Sequence, residues 1–84
     1  MNEWLSDTFN ALAASGGVDG ASVAFADDDA ATLLAIARVA SHDSGDRTNA
    51  PLLCYLVGRL IERSPTITLE QLHATVAGRA GDQS

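Results

Sequence analysis

Chemistry, if this chain performs any, has its best footing in one short stretch: Arg38, then Ser41-His42-Asp43-Ser44-Gly45-Asp46-Arg47-Thr48-Asn49-Ala50-Pro51. Arg38 and His42 are four residues apart, so on a helix both project from one face. Arg47 follows in a loop. A helix beginning near residue 50 would present free amides at Ala50, Leu52 and Leu53, with Pro51 contributing none. Two guanidinium groups, an imidazole and a helix N-terminus are the ingredients of a site for phosphate or carboxylate. Arg38, His42 and Arg47 are therefore the candidate anion-binding residues. The same residues also serve a purely structural arrangement. His42 would then complement the dipole at a helix end, Asp43 or Asp46 would pair with Arg47, and Asn49 would cap the next helix.

Other reactive residue types lack the company their chemistry needs. Asp27-Asp28-Asp29 has no alternating ligands, glycine turn or closing glutamate, so it reads as helix capping and not as a calcium loop. His42 and His73 lie in different predicted helices, and zinc would need third and fourth ligands at a usual spacing. No metal site is expected. Cys54 sits among Leu52, Leu53, Tyr55 and Leu56, a setting for an apolar filler and not for an activated thiolate. No nucleophile elbow or phosphate-binding loop occurs, and Gly16, Gly17 and Gly20 are too loosely spaced to cradle a nucleotide. The expectation is a non-enzyme with no catalytic residue and no cofactor of its own.

Four helices and no strands would position these residues, as an all-α, small four-helix bundle in a single domain spanning 1–84. The first helix covers roughly 2–15, with Leu5, Phe9 and Leu12 at helical spacing, and Gly16-Gly17 ends it. A linker over 16–27 carries Val23 and Phe25, which could pin it to the core. The second helix, 28–42, has Asp27 as N-cap and exits at Gly45. The third, 50–63, tolerates Pro51 in its first turn and stops before Ser64-Pro65. The fourth, 69–80, opens on a capping box of Thr68 and Gln71, with Ile67 placed to staple onto Leu72. Residues 81–84 form a frayed tail. Gly58, inside the third helix, is expected to let another backbone approach, such as the Ala-rich second helix.

The second and third helices are apolar on nearly all sides. Thr32 and Arg38 are the only polar residues from Ala30 to Ala40, and Arg59 is the only charge from Ala50 to Ile61. Such helices want cover on nearly all sides. A homodimer through these two helices or a protein partner would supply it. A central hairpin flanked by the outer helices is the self-contained alternative.

Composition narrows the partner class. The 84 residues are 19% charged and 46% hydrophobic, with a net charge of −6 and no lysine. That balance argues against nucleic acid and anionic lipid, both of which are held by cationic surfaces. Residues 1–46 hold eight acids against Arg38 alone, which makes an acidic N-terminal surface a candidate contact face. One cysteine excludes an internal disulfide and favours a cytoplasmic location. No signal peptide is visible. The run Ala50–Gly58 is far short of the ~20 residues of a membrane span.

Several of these residues also form a recognisable series. Trp4-Leu5, a Leu-rich helix ending at His42, Arg47, Ala50-Pro51-Leu52 and Tyr55-Leu56-Val57-Gly58 occur in that order. The series, covering residues 4 to about 60, resembles a small uncharacterised helical domain of actinobacteria. That domain occurs alone or fused to the C-terminus of molybdenum cofactor guanylyltransferase-like proteins. The resemblance implies an accessory role in molybdopterin guanine dinucleotide synthesis or delivery, and no catalytic residue travels with it. A larger partner, a guanylyltransferase or a molybdoenzyme maturation factor, would follow. The expected function is thus a non-catalytic accessory or protein-interaction domain. The alternative is a small carrier of a phosphorylated ligand at the loop between the second and third helices.

Overall fold

A computed structural model describes residues 2–82. The fold is all-α: among the described residues there are four helices, one 3-10 turn and no strand. The helices are α1 (Glu3–Gly16), α2 (Asp27–Ser44), α3 (Asn49–Arg63) and α4 (Leu69–Asp82). The chain divides into two compact units, Met1–Ala30 and Ala31–Ser84.

In the first unit, α1 starts where the Asn2 side chain accepts the Leu5 amide at 2.8 Å. It ends in a Schellman arrangement. Gly17 takes a left-handed φ of 69°, and its amide and that of Val18 donate back to Ala14 and Ala13, satisfying carbonyls that the helix leaves open. The expected linker contains a 3-10 turn, Gly20–Ser22, capped by Asp19. Gly20 lies close against α1: a Cβ there would sit 3.4 Å from the Phe9 ring. Of the two residues expected to pin this stretch, Phe25 is half-buried, whereas Val23 is exposed.

The start of α2 differs from its expected cap. Asp27 is already helical, and the Ala26 carbonyl accepts the amide of Ala30. Asp29 reaches back to accept the Ala26 amide at 3.2 Å. The acidic run therefore begins one residue inside the helix, where the dipole still favours it.

The second unit is built around three buried side chains, Ile36 and Ala40 on α2 and Val57 on α3. Around them Leu53, Cys54 and Ile61 are half-buried, and α3 packs against α4. The α3 chain exits at Ser64, which is extended as required before Pro65. The capping box at α4 is complete: Thr68 Oγ1 accepts the Gln71 amide at 3.1 Å and Gln71 Oε1 accepts the Thr68 amide at 2.9 Å. Residues 81 and 82, expected in the frayed tail, belong to α4; 83 and 84 lie outside the described residues. No helix among the described residues is long and apolar enough to cross a membrane.

Gly58 does not serve the close approach expected of it. A Cβ at this position would meet nothing within 4 Å, so the glycine leaves its helix more flexible without a packing gain. Gly58→Ala is expected to raise stability by about 0.5–1 kcal/mol, and Thr68→Ala to lower it by about 1 kcal/mol. Urea denaturation of the two variants measures both.

Candidate functional site

The turn from α2 to α3 is tightly organised by its own residues. Gly45 adopts a left-handed φ of 71°, and its amide donates to the Ser41 carbonyl at 3.1 Å, closing α2 with a single αL bond. Ser44 Oγ donates to the Ala40 carbonyl at 2.6 Å and accepts the Asp46 amide at 3.2 Å. The Asp46 carboxylate then accepts both the Thr48 amide, at 2.9 Å, and the Thr48 hydroxyl, at 2.7 Å. These two bonds, the hydroxyl contributing more, hold the Asp46 carboxyl below its ordinary value because both donors favour its charged form.

Thr48, and not Asn49, is the N-cap of α3, and it makes no side-chain cap bond; the Asp46 carboxylate sits just ahead of the helix on the Thr48 amide and hydroxyl. Asn49 is itself the first helical residue, and its amide donates to the Asp46 carbonyl. The amide of Ala50, expected to be open, donates to the Arg47 carbonyl at 3.2 Å. An incoming anion would meet a carboxylate already seated where helix amides attract negative charge.

Arg38 and His42 are exposed and line one shallow hollow with Val39, Asp43 and Ala80. Arg47 is exposed in the turn and does not line that hollow. The structure therefore brings two of the three candidate anion-binding residues together, along with the Asp43 carboxylate. Nothing in the turn gathers all three around one point.

This unit also presents an apolar row. Leu52, Leu56 and Leu60 recur every four residues along α3, and with Tyr55 they are between 51% and 63% exposed. The Arg59 guanidinium lies 5.9 Å from the centroid of the Tyr55 ring, and its Nη1 donates to the Tyr55 hydroxyl at 3.3 Å. On one side of this row an open groove of about 320 Å³ is lined by Val39, Leu52, Leu53, Leu56 and Val76, with Arg79 among its polar residues. The row is legible as helical spacing in the sequence. The contribution of Val76 and Arg79 to its edge is not, because it depends on where α4 packs.

Cys54 is half-buried with its sulfur 3.8 Å from the Leu33 carbonyl, and desolvation pushes its thiol pKa up. Among the described residues no group of three His, Cys, Asp or Glu side chains could hold a metal ion.

The chain matches no family model, curated protein or solved structure. Its functional reading accordingly rests on its own residues.

The Asp46–Thr48 turn has a measurable signature. Carboxyl-carbon NMR shifts followed against pH should place Asp46 below an ordinary aspartate, and Thr48→Val should raise it again. Because the folded-state value is depressed, the turn's stabilisation is present above the unfolded carboxylate range and is lost as pH falls through the lowered value.

Proposed function

We propose that this chain is a non-catalytic protein-interaction domain that docks a larger partner on the outer face of α3. The single observation that carries this reading is the exposed row Leu52, Tyr55, Leu56 and Leu60. Fully burying a side chain of this size is worth about 1.5–3 kcal/mol, and these four are already half-covered. Their burial in a complex would still supply several kcal/mol, roughly half the full value each. The groove beside Leu52 and Leu56 offers a place for a partner side chain to enter. Such an apolar centre edged by arginine fits the anatomy of binding hot spots.

The resemblance noted in the sequence supplies a setting for this role. On that basis the partner is a guanylyltransferase or a maturation factor of molybdenum cofactor metabolism, met in the cytoplasm. The carrier alternative has less behind it, since Asp43 and Asp46 oppose an anion at Arg38, His42 and Arg47.

Two measurements test the reading together. Amide NMR titration with inorganic phosphate and with GTP should be flat. Leu56→Glu should abolish complex formation with the guanylyltransferase or maturation factor while Arg47→Ala leaves it intact. Saturable shifts over residues 42–53 that vanish in Arg47→Ala would overturn the docking role in favour of a carrier.

A further inference from the structure

The row on α3 turns cationic toward its C-terminal end. Leu52, Tyr55, Leu56, Arg59, Leu60 and Arg63 follow in alternating steps of three and one, the spacing of a single helix face. All six are exposed. The two arginines therefore lie within the arc of the leucines, in line with Leu52 and Leu56. Arg59 is held on this face by Tyr55, whose hydroxyl accepts from Nη1 at 3.3 Å. Attraction for the carbonyl end of a helix accounts for a cation in the last turn, Arg63. It does not account for Arg59, a turn earlier.

The acids around this face leave that end positive. Exposed Glu62 stands beside the arginines in sequence; at about 100° per residue it falls at the edge of the arc, next to Tyr55. At the opposite end of the row Asp43 and Arg79 line the groove together, so one charge of each sign stands there. Glu70, nine residues from Arg79, falls on the opposite side of α4, and Asp46 is engaged by Thr48. All five arginines of the chain fall in residues 31–84, where they balance five acids; six acids and no basic residue fall in 1–30. The positive charge at Arg59 and Arg63 is thus a local excess within a chain whose net charge is −6.

We infer that the docking element of the larger partner is an amphipathic helix that carries leucine-like side chains and, toward one end, acidic residues a turn apart. The inference rests on the reading of the row as a docking surface and adds the chemistry of its occupant. Leu52 to Leu60 runs ~12 Å, a little over two helical turns, the reach of apolar anchors at i, i+4 and i+7 entering a groove. A wholly apolar occupant would cover Arg59 and Arg63 without pairing them, and covering an unpaired charge is costly. Carboxylates set over the same two residues satisfy the guanidinium forks directly. A basic occupant would meet like charge.

Peptide binding to the full chain, read by fluorescence anisotropy, tests this. Three synthetic amphipathic helices share one leucine stripe and differ at two positions a turn apart near one end, filled with Glu, Gln or Lys. The Glu peptide should bind about tenfold or more tighter than the Lys peptide, although the net charge of −6 alone would favour Lys. The paired substitution Arg59→Glu and Arg63→Glu should reverse that order, a result that loss of fold would not give. Leu56→Glu should weaken all three. Equal affinities, a Lys preference in the wild type, or no binding at all would overturn the acidic helix. So would a wild-type chain that sediments as two copies and becomes one on Leu56→Glu, since a second copy would then occupy the face. The docking role itself fails by a different result, a partner complex that survives Leu56→Glu.

Discussion

Shortage of interior is the constraint under which this molecule is built. Small domains bury a smaller fraction of their chain than large ones, and here only Ile36, Ala40 and Val57 among the described residues are buried hydrophobics. Helices α2 and α3 carry far more apolar surface than those three positions absorb. The remainder is distributed over half-buried side chains and over a row that stays in contact with solvent. Helix ends consequently carry much of the local order. Asn2, Asp29, Gly17, Gly45, Asp46 and the Thr68–Gln71 pair each hold a backbone group that would otherwise go unsatisfied.

The same demand decides what the polar turn can do. A helix N-terminus attracts negative charge whether it comes from a ligand or from the chain itself. Asp46 reaches Thr48 through a bond two residues long, and a local carboxylate faces no loss of translational freedom in getting there. Arg38 and His42 share a side of α2, but Asp43 follows them into the same hollow. The turn is therefore well suited to setting the junction of α2 and α3, and its two carboxylates work against a phosphate. The apolar row on α3 has no such internal competitor for its surface.

How much of this was legible in the sequence depended on the range of the interaction concerned. The four helices, the glycine stops and the α4 capping box were readable because each is settled within a few residues. Helix starts that rest on a choice among neighbouring residues shifted by one position: α2 begins after Ala26, whose amide Asp29 accepts, and α3 begins after Thr48, because backbone geometry decides between adjacent positions. Gly58 was misread because the need for space is a tertiary property, and the space beside it is open. The cluster of Arg38, His42 and Arg47 was half legible. Spacing on a helix puts the first two together, while the direction of a loop side chain such as Arg47 carries no periodic signal. The groove edge at Val76 and Arg79 was invisible, because it arises from α4 meeting α3 across the chain.

Cys54 gives this economy an internal clock. Its sulfur rests near the Leu33 carbonyl of α2, half-buried on the inner side of α3. A bulky alkylating reagent reaches it more readily whenever α2 and α3 part locally. Its labelling rate, set against that of an unstructured thiol, therefore reports changes in how often that hairpin opens. The chain has no second cysteine to blur the count. A lone thiol thus makes the breathing of the hairpin that carries Ile36, Ala40 and Val57 open to measurement.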